Sequence, residues 1–146
     1  MDKLTEHLTN EMKTGHALRA KPRAESGGLG RHSFLKTIVS HKQSRNMKMQ
    51  DVINRSYLNE SYAHDIFNAK KIPTKDAIIK LSFALSLSLS ETNRLLQLSG
   101  HSRLYPLNER EAIIIYCINH GKNLEHANRL LGELNVKQFS ADYFGH

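Results

Sequence analysis

The polar residues between Met49 and Thr74 have the types and spacing to contact a nucleic acid. A short predicted helix there carries side chains of several polar types, and Lys70 and Lys71 follow its end. Lysine side chains and helix N-termini bind phosphates, while polar side chains on an exposed helix face hydrogen-bond to base edges. The segment therefore favours contact with a nucleic acid.

Catalytic chemistry finds little support in the sequence. No serine lies in a Gly-x-Ser-x-Gly turn, and the glycines of residues 27–30 lack the Lys-Ser/Thr pair of a phosphate-binding loop. Cys117 lies in the apolar run 112–118, which is typical of a small core residue and not of a nucleophile. We therefore expect neither an enzyme nor a cofactor.

Metal binding also lacks a pattern. The chain has nine histidines and one cysteine, and no two histidines are four residues apart. His120 and His126 flank a predicted turn, but a structural zinc site usually takes four protein ligands. We therefore expect no bound metal.

Basic charge is concentrated in the N-terminal third of the chain. The 146 residues include 21 lysines and arginines against 14 aspartates and glutamates, which gives a formal net charge of +7. Residues 1–48 hold ten of the basic and four of the acidic residues, whereas residues 101–146 hold five of each. This asymmetry favours a polyanionic partner for the N-terminal segment, although basic tails often serve only solubility.

The sequence also indicates an expected cellular location. Its longest apolar run is residues 112–118, far shorter than the roughly twenty residues of a bilayer helix. No secretory signal pattern opens the chain, and a single cysteine cannot form an internal disulfide. We expect a cytoplasmic protein without a membrane partner.

Helical signals dominate from residue 32 onward, and no segment alternates long enough to predict a sheet. The predicted N-caps are Asn59, Thr74, Ser88, Asn108 and Asn123, and Gly100 and Gly121 are expected to end helices. Tyr105 is expected to fill the joint between two helical hairpins. The apolar residues expected to line the core are Phe34, Leu35, Ile38, Val39, Val52, Ile53, Leu58, Ala63, Ile66, Phe67, Ala77, Ile78, Leu81, Ala84, Leu85, Leu124, Ala127, Leu131 and Leu134.

An internal repeat relates the second half of the chain to itself. With a shift of 35 residues, 76–96 aligns with 111–131, and eight of the 21 positions are identical. The shared Ala-Ile-Ile and Asn-Arg-Leu-Leu blocks predict two successive helical hairpins packed in the same way. We expect Arg94 and Arg129 to share one structural role.

The segment from Met49 to Thr74 resembles the helix-turn-helix of the phage-repressor and Cro-like (Xre-type) family. The residues that carry the resemblance are Val52, Ile53, Leu58, Asn59, Ala63, Ile66, Lys70, Lys71, Pro73 and Thr74. The resemblance implies an all-α, lambda-repressor-like five-helix DNA-binding domain at 32–99. A C-terminal helical hairpin and tail at 100–146 would extend it, and a basic flexible arm at 1–31, with a possible helix at 2–18, would precede it.

The resemblance implies a sequence-specific transcriptional regulator that binds double-stranded DNA, expected as a homodimer joined through the C-terminal hairpin. In the family, glycine is common at the positions of Tyr57 and Ala69, where a positive φ can be required. The residues expected to contact DNA from the domain are Gln50, Asn59, Glu60, Ser61, Tyr62, His64, Asp65, Lys70, Lys71 and Thr74. Those expected from the arm are Arg19, Lys21, Arg23 and Arg31.

One alternative follows from the charges of the predicted recognition helix. Residues 60–69 contain no arginine or lysine, and Glu60 and Asp65 would be repelled by phosphates. The scaffold could then serve as an adaptor that binds another protein. An exposed Glu60 and Asp65 beside Lys70 and Lys71 would favour DNA, whereas a covered face would favour the adaptor.

Overall fold

The computed structural model describes residues 30–140, which form seven α-helices and no strand. The helices are α1 (Arg31–Ser44), α2 (Met49–Ser56), α3 (Glu60–Phe67), α4 (Lys75–Ala84), α5 (Leu89–Leu98), α6 (Glu109–Asn119) and α7 (Leu124–Glu133). The predicted all-α class is confirmed. The possible helix at 2–18 and the arm residues Arg19, Lys21 and Arg23 lie outside the described residues.

Local capping sets the helix boundaries where the sequence predicts them. Each predicted N-cap side chain accepts a backbone N–H from the first turn of its helix. Ser88 and Glu91 form a reciprocal capping box, with N···O distances of 3.1 and 2.9 Å. Gly100 and Gly121 adopt φ values of +86° and +66° just past the ends of α5 and α6, as expected for left-handed residues that end helices.

The core is built around α4. This helix packs on α2, α5 and α7, and all its residues from Ala77 to Ala84 are buried. Helix α1 packs on α3 and α5, and α6 and α7 form the last hairpin. Apolar side chains from all seven helices belong to one continuous cluster, so the last hairpin shares its core with the preceding helices. None of the seven helices is long and apolar enough to span a membrane.

The two hairpins, α4–α5 and α6–α7, repeat in structure as well as in sequence. The Asn93 side chain accepts the N–H of Leu104 at 2.9 Å, and the equivalent Asn128 accepts the N–H of Phe139 at 2.7 Å. In both hairpins, this bond draws an apolar residue into the core eleven positions after the asparagine. The repeat therefore extends beyond the segment that the sequence identities mark.

Ion pairs join the starts of the two equivalent helices α4 and α6. The Arg110 guanidinium donates two hydrogen bonds of 3.0 Å to the Asp76 carboxylate, and Lys75 lies 2.9 Å from Glu111. Arg110 also lies over the ring of the buried Phe139, 4.8 Å from its centroid. These pairs bind the last hairpin to the start of α4.

Two predicted core positions are wrong. Leu134 is 51% exposed because it is the C-cap residue of α7, beyond the last inward turn at Leu131. Leu104, not Tyr105, fills the joint between the hairpins: Leu104 is fully buried and Tyr105 is half-buried. The bond from the Leu104 N–H to Asn93 sets the backbone so that Leu104 points inward.

Candidate nucleic-acid interface

A three-residue turn joins α2 to α3. Tyr57 ends α2 with φ 55° and ψ 25°, in the left-handed region, and Leu58 is buried below it. Asn59 then begins α3, where its side-chain oxygen accepts the N–H of Tyr62 at 3.1 Å. Because Leu58 anchors the turn in the core, the direction of α3 relative to α2 is fixed by packing and not by the turn alone.

The outer face of α3 is open to solvent among the described residues. Glu60, Ser61 and His64 are exposed, while Ala63 and Ile66 point into the core. This division follows the helical period, since the buried pair is three residues apart. The three exposed side chains are predicted DNA contacts, and the structure leaves them accessible.

Asp65 faces the loop after α3. Its carboxylate lies 3.5 Å from the Lys71 ammonium, and its backbone oxygen accepts the N–H of Lys70 at 2.8 Å. The side chain of Asp65 is half-buried, whereas both lysines are exposed. Asp65 thus shapes the loop that carries Lys70 and Lys71, which we call the lysine loop. The negative charge of Asp65 is largely compensated by Lys71.

Tyr62 connects α3 to the start of α4. Its hydroxyl accepts the N–H of Thr74 at 3.1 Å, and the Lys71 ammonium lies 5.9 Å from its ring centroid. Thr74 uses its own hydroxyl to cap α4 through the N–H of Ala77. Direct contacts therefore bring together six of the predicted residues: Asn59, Tyr62, Asp65, Lys70, Lys71 and Thr74.

Two further predicted residues, Gln50 and Arg31, lie on other helices. Gln50 is exposed at the start of α2 and donates to Asn54 one turn later, at 2.9 Å. Arg31 is exposed as the first residue of α1. Both side chains are accessible to a ligand.

One contact behind the turn could not be predicted from the sequence. The Tyr57 hydroxyl donates to the Glu125 carboxylate at the start of α7, 68 residues away. Beside this bond lies a cleft of about 440 Å³ whose lining includes Arg55, Ser86 and Lys122. No local pattern predicts such a pair, because only the packing of the last hairpin brings α7 to the turn.

Within the described part of the chain, the one cysteine is buried and the potential metal ligands do not cluster. Burial raises the pKa of the Cys117 thiol, an effect that the nearby Lys122 partly opposes. The thiol is therefore held in its protonated form, which is a poor nucleophile. Within residues 30–140, no group of three or more histidine, cysteine, aspartate or glutamate side chains could hold a metal ion.

Comparison with known protein families, with curated proteins and with solved structures finds no match for this chain.

Proposed function

We propose that the chain binds double-stranded DNA through residues 49–68 and regulates transcription, in the manner of the Xre-type family that its sequence resembles. The observation that carries the proposal is the accessibility of α3. Its outer face is free of other described elements, and two exposed lysines follow its end. A major groove admits an α-helix presented in this way.

The proposed mechanism divides the residues between bases and phosphates. Glu60, Ser61 and His64 face the base edges, where a carboxylate can accept a hydrogen bond from cytosine N4. Lys70 and Lys71 contact phosphates and set the orientation of α3 on the duplex. Gln50, at the start of α2, donates to a phosphate near that helix N-terminus.

The compensated charge of Asp65 supports this proposal. A free carboxylate beside the DNA backbone would be repelled, but Asp65 is paired with Lys71 at 3.5 Å. Glu60 is then the only acidic side chain fully exposed on α3. A single domain of this size covers a short stretch of DNA, so we further propose that two copies bind two half-sites.

A protein-binding adaptor is the second candidate function. Ile72 is 50% exposed in the lysine loop, and α3 carries no lysine or arginine. An exposed apolar side chain beside an uncharged or acidic helix suits a protein surface better than a phosphate backbone. The adaptor would use the same face of α3 as the DNA.

Binding of the full chain to random and genomic duplexes, followed by fluorescence anisotropy at several salt concentrations, tests the proposal. We expect the Lys70→Glu/Lys71→Glu variant to lose at least about tenfold in affinity, because each lysine contact releases counterions from the DNA. The matched control is Arg129→Glu/Lys137→Glu, which makes the same charge change on exposed residues of the last hairpin. Its affinity should fall much less.

Equal loss in both variants would show only a dependence on net charge and would contradict the assigned interface. Absence of binding by the unmodified chain to every duplex, at low salt, would favour the adaptor.

A further inference from the structure

The outer face of α6 carries an apolar stripe with polar ends. Ala112, Ile113 and Tyr116 lie on one side of the helix, with Glu109 before them and His120 after them. The spacing of three and four residues puts all five on the same face. Tyr116 is 49% exposed, and Ala112 and Ile113 are only half-buried.

The internal repeat allows this face of α6 to be compared with the equivalent face of α4. The residues of α4 that are equivalent to Ala112, Ile113 and Tyr116 are Ala77, Ile78 and Leu81, and each is fully buried. The same face is therefore fully buried in the first hairpin and only partly covered in the second, where Ile113 packs against the edge of the core and Tyr116 is exposed. Within residues 30–140, α6 packs mainly on α5 and α7, whereas α4 packs on the three helices α2, α5 and α7.

The exposed aromatic side chains on this face are already ordered. The rings of Tyr116 and His120 stack with centroids 4.0 Å apart and an interplanar angle of 27°. The His120 Nδ1 also hydrogen-bonds to the Tyr116 backbone oxygen at 2.7 Å. Side chains that are held in place before association lose less conformational entropy when a partner binds.

We infer that this face of α6 packs against the same face of a second copy of the chain, with the two helices antiparallel. A two-fold axis between residues 114 and 115 places Ile113 opposite the partner's Tyr116 and Glu109 opposite the partner's His120. One stripe thus complements itself in both its apolar centre and its polar ends, as a two-fold interface requires.

The charge distribution also favours a second copy of the chain as the partner of this face. Residues 101–146 hold equal numbers of basic and acidic residues, whereas residues 1–48 carry most of the excess positive charge. Two copies repel each other least when they meet through their neutral ends. This arrangement leaves the basic segments of both copies for a polyanion.

The inference deepens the proposed function because it names the surface that joins two copies. The biological role of the dimer rests on that proposed function. The association itself depends on residues separate from the DNA interface. An eleven-residue helix presents less than the roughly 800 Å² per partner of a standard interface. We therefore expect a dissociation constant on the order of micromolar.

Sedimentation equilibrium of the full chain without DNA, over a wide range of protein concentrations, tests this interface. We expect a monomer–dimer equilibrium whose dissociation constant rises at least about 30-fold in Tyr116→Glu, as for a central aromatic residue. The control Leu107→Glu changes an apolar side chain that is 76% exposed and off the stripe, and should leave the equilibrium unchanged. Circular dichroism verifies that both variants are folded.

Charge exchange at the polar ends tests the antiparallel register. Glu109→Lys or His120→Glu alone should weaken the dimer by up to about fivefold, as expected for an exposed pair. The double variant should recover a dimer at least as tight as the original, because it places lysine opposite glutamate across the axis. Parallel packing, or an unrelated partner, gives no such recovery.

Three results would overturn the inference: a monomer at every concentration, a dimer indifferent to Tyr116→Glu, or a dimer lost only when residues 1–29 are removed. The last result would assign the contact to the N-terminal segment. Lys70→Glu/Lys71→Glu should not alter the dimer, so a failure of the DNA proposal is distinguishable from a failure of this one.

Discussion

Residues in the left-handed conformation flank α3, and neither is glycine. Tyr57 precedes the helix with φ 55°, and Ala69 follows it with φ 61°. A side chain in this region costs about 1–2 kcal/mol. Tyr57 recovers part of that cost through its hydrogen bond to Glu125, whereas Ala69 is exposed and its methyl group has little to pack on.

Ala69→Gly should stabilise the protein. Glycine removes the steric cost of the positive φ, although the greater freedom of the unfolded chain offsets part of the gain. We expect the free energy of unfolding to rise by about 0.5–1 kcal/mol, as measured by urea denaturation. Arg94→Gly, at an exposed position within α5, is the control and should lower it by about 1 kcal/mol. A loss of stability in Ala69→Gly would show that the methyl group makes a contact worth more than the strain.

At the scale of elements, a cluster of His41, Arg45 and Glu91 joins the end of α1 to α5. The Glu91 carboxylate lies 3.6 Å from Arg45 and 3.9 Å from His41. Burial lowers the pKa of His41; Glu91 opposes that shift and Arg45 adds to it. The backbone hydrogen bond from Ser88 lowers the pKa of Glu91; burial opposes this shift, and His41 and Arg45 add smaller lowering contributions.

These shifts predict a loss of stability on acidification in two separate ranges. Folded His41 binds a proton less readily than unfolded His41, so its contribution is present above pH 6.5 and is lost as pH falls through the folded pKa. The contribution of Glu91 is present above pH 4.5 and is lost below it. His41→Gln should therefore flatten the dependence of unfolding free energy on pH just below 6.5. Glu91→Gln should flatten it below 4.5 and enlarge the loss below 6.5, because Glu91 no longer opposes the shift of the His41 pKa. Urea titrations at a series of pH values measure both slopes. Identical slopes in the original chain and His41→Gln would exclude His41 as the group that titrates.

At this scale, the sequence could predict the features that neighbouring residues determine. The capping box of Ser88 and Glu91 spans one turn of helix, and the two positive-φ glycines lie one residue past the C-caps of their helices. Such signals depend on residues within a few positions of one another. The helix boundaries and the turn between α2 and α3 could therefore be derived before the structure.

Contacts between distant segments could not be derived in this way. Asp76 and Arg110 are 34 residues apart, and Tyr57 and Glu125 are twice as far apart. Nothing in the local sequence marks these residues as partners. The role of Asp65 was hidden for a different reason, because its position on the helix allows it to face either DNA or the lysine loop.

At the scale of the molecule, the charge needed to hold DNA lies mostly outside α3. The helix itself has no lysine or arginine, so in the proposed complex its exposed face would contact bases but would supply little affinity. Non-specific affinity for DNA comes from cations that displace counterions. Lys70 and Lys71 provide two such cations, and the excess within residues 1–48 is the other large source in the chain.

Removal of residues 1–30 should therefore weaken DNA binding and make it less sensitive to salt. The deletion removes Arg19, Lys21 and Arg23 and retains Arg31 at the start of α1. If those three residues contact phosphates, the slope of log affinity against log salt should become shallower by about three. Anisotropy measurements at several salt concentrations give the slope, and circular dichroism of the shortened chain verifies its helices. Base preference should persist, because the residues that face the bases remain on α3. An unchanged slope would remove the N-terminal segment from the interface and leave Lys70 and Lys71 as its main phosphate contacts.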